Sequence, residues 1–252
     1  MLTNQWLVIG LIALVGFLLG LARGGLVGLG PLLSPLLSLV LPSVSAAVGV
    51  MLPLLMIADV LALYNFWKEW DSVLLRKTLP GALLGVAVGT WMLVSLPGNV
   101  LRAALGIFVW LMVAYRFLSE RLAQWRYEPR GWHGWLAGAL SGVSSAMFNS
   151  GAPPYNAYLL LQHTPARPFV ATTIAFFAVL NWIKLPGFIL TGVLNVQLLL
   201  SVVWAVIFIP LGLWVAKRFI TRLNQQAFEQ LVTAMLVLMG GLLVWQSLQA
   251  VN

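Results

Sequence analysis

The chain has 252 residues, of which 61% are hydrophobic and only 8% charged, with a formal net charge of +8. A soluble globular domain carries roughly 25% charged residues, so the composition predicts a polytopic membrane protein and leaves no room for a separate soluble domain. The basic residues lie in short loops between apolar spans, which argues against a nucleic-acid role, and the lack of cysteine excludes a disulfide framework and a thiolate metal site.

In chain order, the apolar runs are approximately 5–28, 31–41, 44–66, 78–96, 100–118, 132–149, 153–162, 168–191, 196–216 and 225–248. No basic segment precedes Trp6–Leu19 and no small-residue cleavage site follows it, so no cleavable signal is expected. The first run carries a ladder, Gly16, Gly20, Gly24 and Gly28, that leads into Gly30-Pro31. The sixth repeats it with Gly138, Gly142, Ala146 and Ser150, leading into Ala152-Pro153. Small residues four apart make a smooth helix face on which a second helix can lie close. Each ladder is followed by a run of half-membrane length, 31–41 and 153–162, about 15 Å each as helix. The spacing therefore predicts two re-entrant helical hairpins, 5–41 and 132–162, and six full crossings.

Charge sets the orientation. Lys68, Arg76 and Lys77; Arg116, Arg121, Arg126 and Arg130; Arg167; and Lys217, Arg218 and Arg222 all fall on one side when the crossings alternate, leaving only Arg102 opposite. By the positive-inside rule that side is cytoplasmic and both termini are external. The tryptophans at 67, 70, 125, 132 and 135 then form a cytoplasmic interfacial belt. Corresponding runs, 44–66 with 168–191, 78–96 with 196–216 and 100–118 with 225–248, cross in opposite senses. The expected fold is an all-α integral membrane protein built as an inverted-topology repeat. Residues 1–118 form one half, 119–131 a basic cytoplasmic linker and 132–252 the second half. The register between halves is near 122 residues at the ladders and drifts upward later, as in Pro42/Pro165 and Asp71/Asn195.

Paired breaks in matching places point to a transporter binding site. The short helices begin near Pro31 and Pro153, where partial positive charge and unpaired N–H groups suit an anion. Gly28, Leu29, Gly30 and Ser34 at the first break, and Asn149, Ser150, Gly151 and Asn156 at the second, are the candidate contacts. For Ser34 and Ser150 a hydroxyl bonded back to its own helix is an equal reading. Taken singly, each ladder reads as helix packing.

Three ionisable residues fall within apolar runs, Arg23, Asp59 and Lys184, and such residues are functional candidates by default. Arg23 contacts substrate or pairs with Asp59. Lys184 attracts the anion or snorkels to the external surface. Asp59 pairs with a cation or carries a coupling proton. Thr172, Thr173 and Asn181 share the span of Lys184 and either line a cavity or bond between helices. His133 and His163 lie at a loop and a span end and are assigned no proton relay.

The stretch Gly16–Leu37, with Gly-Leu-Gly-Pro-Leu-Leu-Ser-Pro, resembles the N-terminal signature of the sulfite exporter TauE/SafE family. Gly138-Ala-Leu-Ser-Gly through Phe148-Asn-Ser-Gly-Ala-Pro-Pro-Tyr-Asn resembles its second signature, and Phe169–Lys184 is similar as well. The chain departs from that pattern at Pro31, at Asn149–Ala152 and at Arg23. The resemblance implies a multi-pass secondary transporter of the bacterial inner membrane, without cofactor, for sulfite, sulfonates or related small anions. Its partners would be the anionic substrate, the lipid bilayer and a coupling ion such as the proton. An anion channel of the same architecture is the alternative. An integral membrane enzyme, for instance one using a Ser150–Lys184 pair, lacks paired carboxylates and metal-ligand spacing.

Overall fold

The computed structural model describes residues 5–24, 26, 29–122, 130–219 and 224–250. Among them every regular element is helical. The helices are α1 (Gln5–Arg23), α2 (Gly30–Val40), α3 (Val44–Asn65), α4 (Ser72–Ser95), α5 (Gly98–Leu122), α6 (Gly131–Phe148), α7 (Ala152–Leu161), α8 (Ala166–Leu190), α9 (Val196–Val202), α10 (Phe208–Phe219) and α11 (Gln225–Gln249). Six segments are long and apolar enough to cross a membrane: Val44–Asn65, Ser72–Ser95, Gly98–Ser119, Ala166–Leu190, Val196–Ala216 and Gln226–Gln249. These are the six crossings read from the sequence. The two short runs are the short helices α2 and α7, each following a longer partner. Residues 123–129 of the expected linker, with Trp125 and Arg126, lie outside the described residues, and α5 runs on to Leu122.

The helix starts follow local chemistry. Asp71 Oδ1 accepts from the N–H groups of Val73 (2.8 Å) and Leu74 (3.1 Å) ahead of α4. Asn195 Oδ1 does the same for Leu198 N at 2.7 Å ahead of α9. These two capping residues are the Asp71/Asn195 pair singled out in the sequence, and each satisfies N–H groups that the first turn of a helix leaves free.

Two compact units emerge, and each takes helices from both halves of the sequence. Unit 1 comprises residues 1–58, 96–113 and 194–252; unit 2 comprises 59–95 and 114–193.

In unit 1, the first glycine ladder is a packing seam. A Cβ on Gly16 would lie 2.7 Å from the Ala205 carbonyl oxygen, one on Gly20 2.2 Å from that of Ile209, and one on Gly24 2.3 Å from Ala216 Cβ. Positions rise together along both helices, so α1 and the 203–219 segment run parallel. Residues 196–216 were expected as one helix, but Val203–Ile207 forms a 3₁₀ segment between α9 and α10. Pro210 has no N–H to offer the Val206 carbonyl, which loosens the α-helical ladder where α1 presses closest. Leu33, Leu37, Val15, Met51 and Val202 pack into one core around this seam. Farther along, Trp110 Nε1 donates to the Val237 carbonyl at 3.2 Å and Gly106 abuts Gly240, so α5 and α11 run antiparallel.

Unit 2 repeats the seam with a different pair. Cβ atoms on Gly138 and Gly142 would lie 2.0 and 2.4 Å from the carbonyl oxygens of Thr78 and Ala82. From the other side Gly81, Gly85 and Gly89 meet the carbonyls of Trp135, Ala139 and Val143. Here α4 and α6 are parallel, with glycine on both faces. Beside them Tyr155 of α7 stacks on Phe176 of α8, with ring centroids 3.8 Å apart. At one end Glu69 forms a two-point ion pair with Arg167 (Oε1 to Nη2 2.8 Å), and Asp71 N donates to Thr172 Oγ1 at 2.8 Å. The guanidinium holds the Glu69 carboxyl below its ordinary range.

Gly142→Val should lower the melting temperature of the purified protein strongly, since overpacking costs about 1–3 kcal/mol even where some relief is available. Gly10→Ala, with nothing within 4 Å of the added carbon, should be neutral or stabilising by up to about 1 kcal/mol. Equal melting temperatures for the two variants would refute the seam.

Candidate functional site

The second break has the more developed polar structure. Helix α6 ends at Asn149, whose φ of 52° lies in the left-handed region and turns the chain. Asparagine tolerates that conformation because its short amide can bond locally. Its N–H bonds back to the Ser145 carbonyl at 2.9 Å. Gly151 follows, and a Cβ there would meet the Ser141 carbonyl oxygen at 2.5 Å and the Phe177 ring at 2.8 Å. The Ser141 hydroxyl donates to the Gly151 carbonyl and ties the break to α6. Sequence reasoning passed over Ser141 and Ser145, which lie between the rungs of the ladder Gly138, Gly142, Ala146 and Ser150.

Lys184 reaches this break from α8. It is wholly buried, and its Nζ donates to Asn149 Oδ1 at 2.7 Å and to the Ser145 carbonyl at 3.2 Å. The ammonium therefore sits at the C-terminal end of α6, where the helix dipole favours a cation. Phe188 contributes a ring face 6.0 Å from Nζ. Snorkelling, one of the two expectations for this residue, is not what the side chain does: it turns inward. Its partners at the turn are Asn149 and Ser145, and Ser150 is buried beside them in sequence.

One helical turn before Lys184, Asn181 is 2% exposed and donates from Nδ2 to Asp59 Oδ2 at 2.6 Å. Asp59 is 1% exposed, and its charge acts on Lys184. The buried Asp59, Asn181 and Lys184, with the half-buried Asn149, thus form one polar series from α3 through α8 to the α6–α7 turn. The remaining candidates of unit 2 hold helices together. Thr173 Oγ1 donates to Asn156 Oδ1 at 3.2 Å, between α8 and α7. Thr172, 0% exposed, receives the Asp71 N–H. His133, at the start of α6, accepts the Arg130 N–H at Nδ1 (3.4 Å), a capping role.

The start of α7 offers fewer amides than a helix N-terminus ordinarily does. Ala152 is followed by Pro153 and Pro154, which have no N–H, so of the first three helical residues only Ala152 keeps a donor. At α2 the loss is smaller, because only Pro31 lies among Gly30, Pro31 and Leu32.

In unit 1, Gly28 lies outside the described residues. Leu29 precedes Gly30 at the start of α2. Ser34, 1% exposed, donates to Met51 Sδ at 3.2 Å rather than to its own helix. Arg23 is the last residue of α1, a favourable place for a cation against the helix dipole. Arg102 Nη2 donates to the Pro42 carbonyl at 2.6 Å.

Among the described residues, six apolar segments of membrane-crossing length mark a multi-pass membrane protein. The family described as sulfite exporter TauE/SafE matches residues 12–243, and the chain belongs to that family of membrane transporters. Comparison with curated proteins and with solved structures finds no match for the chain.

Asn149→Gly keeps the left-handed turn but removes the acceptor of the lysine. It should destabilise the protein by about 1.5–3 kcal/mol, the worth of a hydrogen bond to a charged group. Asn149→Gly in a Lys184→Met background should cost much less. Additive losses in this double-mutant cycle would show that the two residues do not act together.

Proposed function

We propose that the protein is a secondary exporter of a small sulfur-containing or organic anion, such as sulfite or a sulfonate. The anion is held at the helix breaks, and the two halves, 1–118 and 132–252, alternate access to it. The observation that carries this reading is the buried Lys184 ammonium fastened to the α6–α7 turn. A fully desolvated cation at a helix break is costly to keep and attractive to an anion. Backbone donors at Gly151 and Ala152, with Ser150 and Asn156 close by in sequence, supplement it, and Gly30 and Ser34 are the candidate contacts at the first break. Thr172, Thr173 and Asn181 position the α8 face that carries Lys184. Arg23 serves the substrate path, and Asp59 is the carboxylate assigned to proton coupling. As a membrane transporter the protein has a small substrate and the lipid bilayer as partners.

The contacts support inversion of the repeat. Asp59 and Asn181 are 122 residues apart, the register of the two ladders, and they bond to each other directly. Equivalent residues of two related halves can touch only beside the axis that relates them. Just beyond the end of α3, Glu69 pairs with Arg167 near the start of α8, whereas Asp59 within α3 meets Asn181 late in α8, so α3 and α8 run antiparallel. Equivalent helices running antiparallel, as α5 and α11 also do, fit a two-fold axis lying in the membrane plane.

We place the protein in a bacterial inner membrane with both termini outside. Because the chain has no cysteine, single cysteines report topology cleanly. Arg102→Cys should react with an impermeant maleimide in intact cells and Lys68→Cys only after permeabilisation; the opposite pattern would overturn the orientation.

Proteoliposomes should release sulfite or an alkanesulfonate faster than empty vesicles. Lys184→Met should cut that rate by roughly tenfold or more, as expected for losing a charge-assisted contact to the anion. Asp59→Asn should retain downhill flux but lose acceleration by an imposed pH gradient. Unchanged flux in Lys184→Met would remove the lysine from the substrate site.

A further inference from the structure

Asn181 is placed unusually for a residue that does no more than brace a helix. Its Nδ2 is satisfied by Asp59, yet its Oδ1 is buried with no hydrogen-bond partner. An orphaned buried acceptor costs free energy unless something outside the protein donates to it. Three residues on, and so on the same face of α8, Lys184 has three N–H groups and meets two acceptors, Asn149 Oδ1 and the Ser145 carbonyl. One turn of α8 thus presents an unused acceptor and an unused cationic donor side by side. The formal charges of Asp59 and Lys184 cancel, so hydrogen-bond pattern rather than surplus positive charge selects what fits there.

We propose that this turn of α8 is a ligand subsite for a singly charged oxyanion that itself carries an O–H or N–H group. The anionic oxygen accepts from Lys184 Nζ, and the ligand's own donor reaches Asn181 Oδ1. A monoprotonated oxyanion, or a sulfonate with a neighbouring hydroxyl or ammonium, meets both. A fully deprotonated dianion, or a sulfonate with a bare alkyl chain, leaves Asn181 Oδ1 unsatisfied. The subsite rests on the transport reading above and specifies which members of the anion class it takes.

Two sulfonates that differ by one hydroxyl test it. Both remain anionic across the working pH range, so protonation does not confuse the comparison. Purified full-length protein is titrated with 2-hydroxyethanesulfonate and with ethanesulfonate, and binding is read from the concentration dependence of the melting shift. The hydroxylated anion should bind roughly tenfold or more tightly, because a site built to pair with a hydroxyl rejects the analogue that lacks it. Asn181→Leu should reduce that preference to within about twofold while Lys184 still holds the sulfonate group. Equal affinities in the unmodified protein would mean that Asn181 Oδ1 meets only a buried water, and would overturn the subsite. Absence of any melting shift with either sulfonate would overturn it too. Sulfite release from proteoliposomes is measured in parallel: its absence strikes the transport reading, whereas release without a hydroxyl preference strikes only the subsite.

Discussion

Close backbone contact between parallel helices is the constraint on which this architecture depends. Lipid tails are as apolar as leucine, so burying apolar side chains gives little drive for helices to associate in a bilayer. Dispersion contacts between surfaces that fit must supply it, and they weaken quickly with separation. Glycine removes the Cβ that would hold two backbones apart. In α4 and α6 the glycines alternate between the partners, with Gly81 and Gly85 on one helix and Gly138 and Gly142 on the other. Neither helix can be lifted or rotated without losing several contacts at once. A seam this tight makes a rigid element, and a break at the end of a rigid element keeps its place.

The break then imposes its own demands. Ending α6 leaves carbonyls without helical partners, and hydrocarbon offers them nothing. Lys184 answers that demand with its bonds to Ser145 and Asn149, and Ser141 reaches across to Gly151. A lysine in this position serves two ends: it neutralises the carbonyl end of α6 and brings positive charge to the turn where α7 begins. The bonds to Ser145 and Asn149 give the buried ammonium its partners. This explains how a costly buried cation is tolerated in a chain with so few charges.

Much of the fold was legible in the sequence, for a physical reason. Hydrocarbon thickness fixes helix length, so six crossings and two half-length helices followed from counting, and the ladders marked where helices lie close. The 3₁₀ segment at Val203–Ile207 was not legible, since an apolar run of crossing length hides the effect of Pro210 and the pressure of α1. The fate of Lys184 was also hidden. A helix apolar on nearly every face, as α8 is, gives no periodicity from which to tell an inward lysine from a snorkelling one. The partner of Asp59 was within reach, because the 122-residue register that aligns the ladders also aligns it with Asn181. What was missing was the idea that equivalent residues could meet.

The composition of the second break bears on how an anion would be held. A helix N-terminus is an anion site by virtue of its N–H groups, and Pro153 and Pro154 remove donors from the start of α7. The dipole remains, but with few N–H groups to direct it, so side chains must give direction. On the proposed reading, recognition then falls to side chains rather than to backbone. Lys184 brings a charge there, Asn149 orients it, and the hydroxyl of Ser141 stiffens the turn. The glycines are constrained by contacts with neighbouring backbone, whereas Asn181 Oδ1 is constrained by nothing in the described protein.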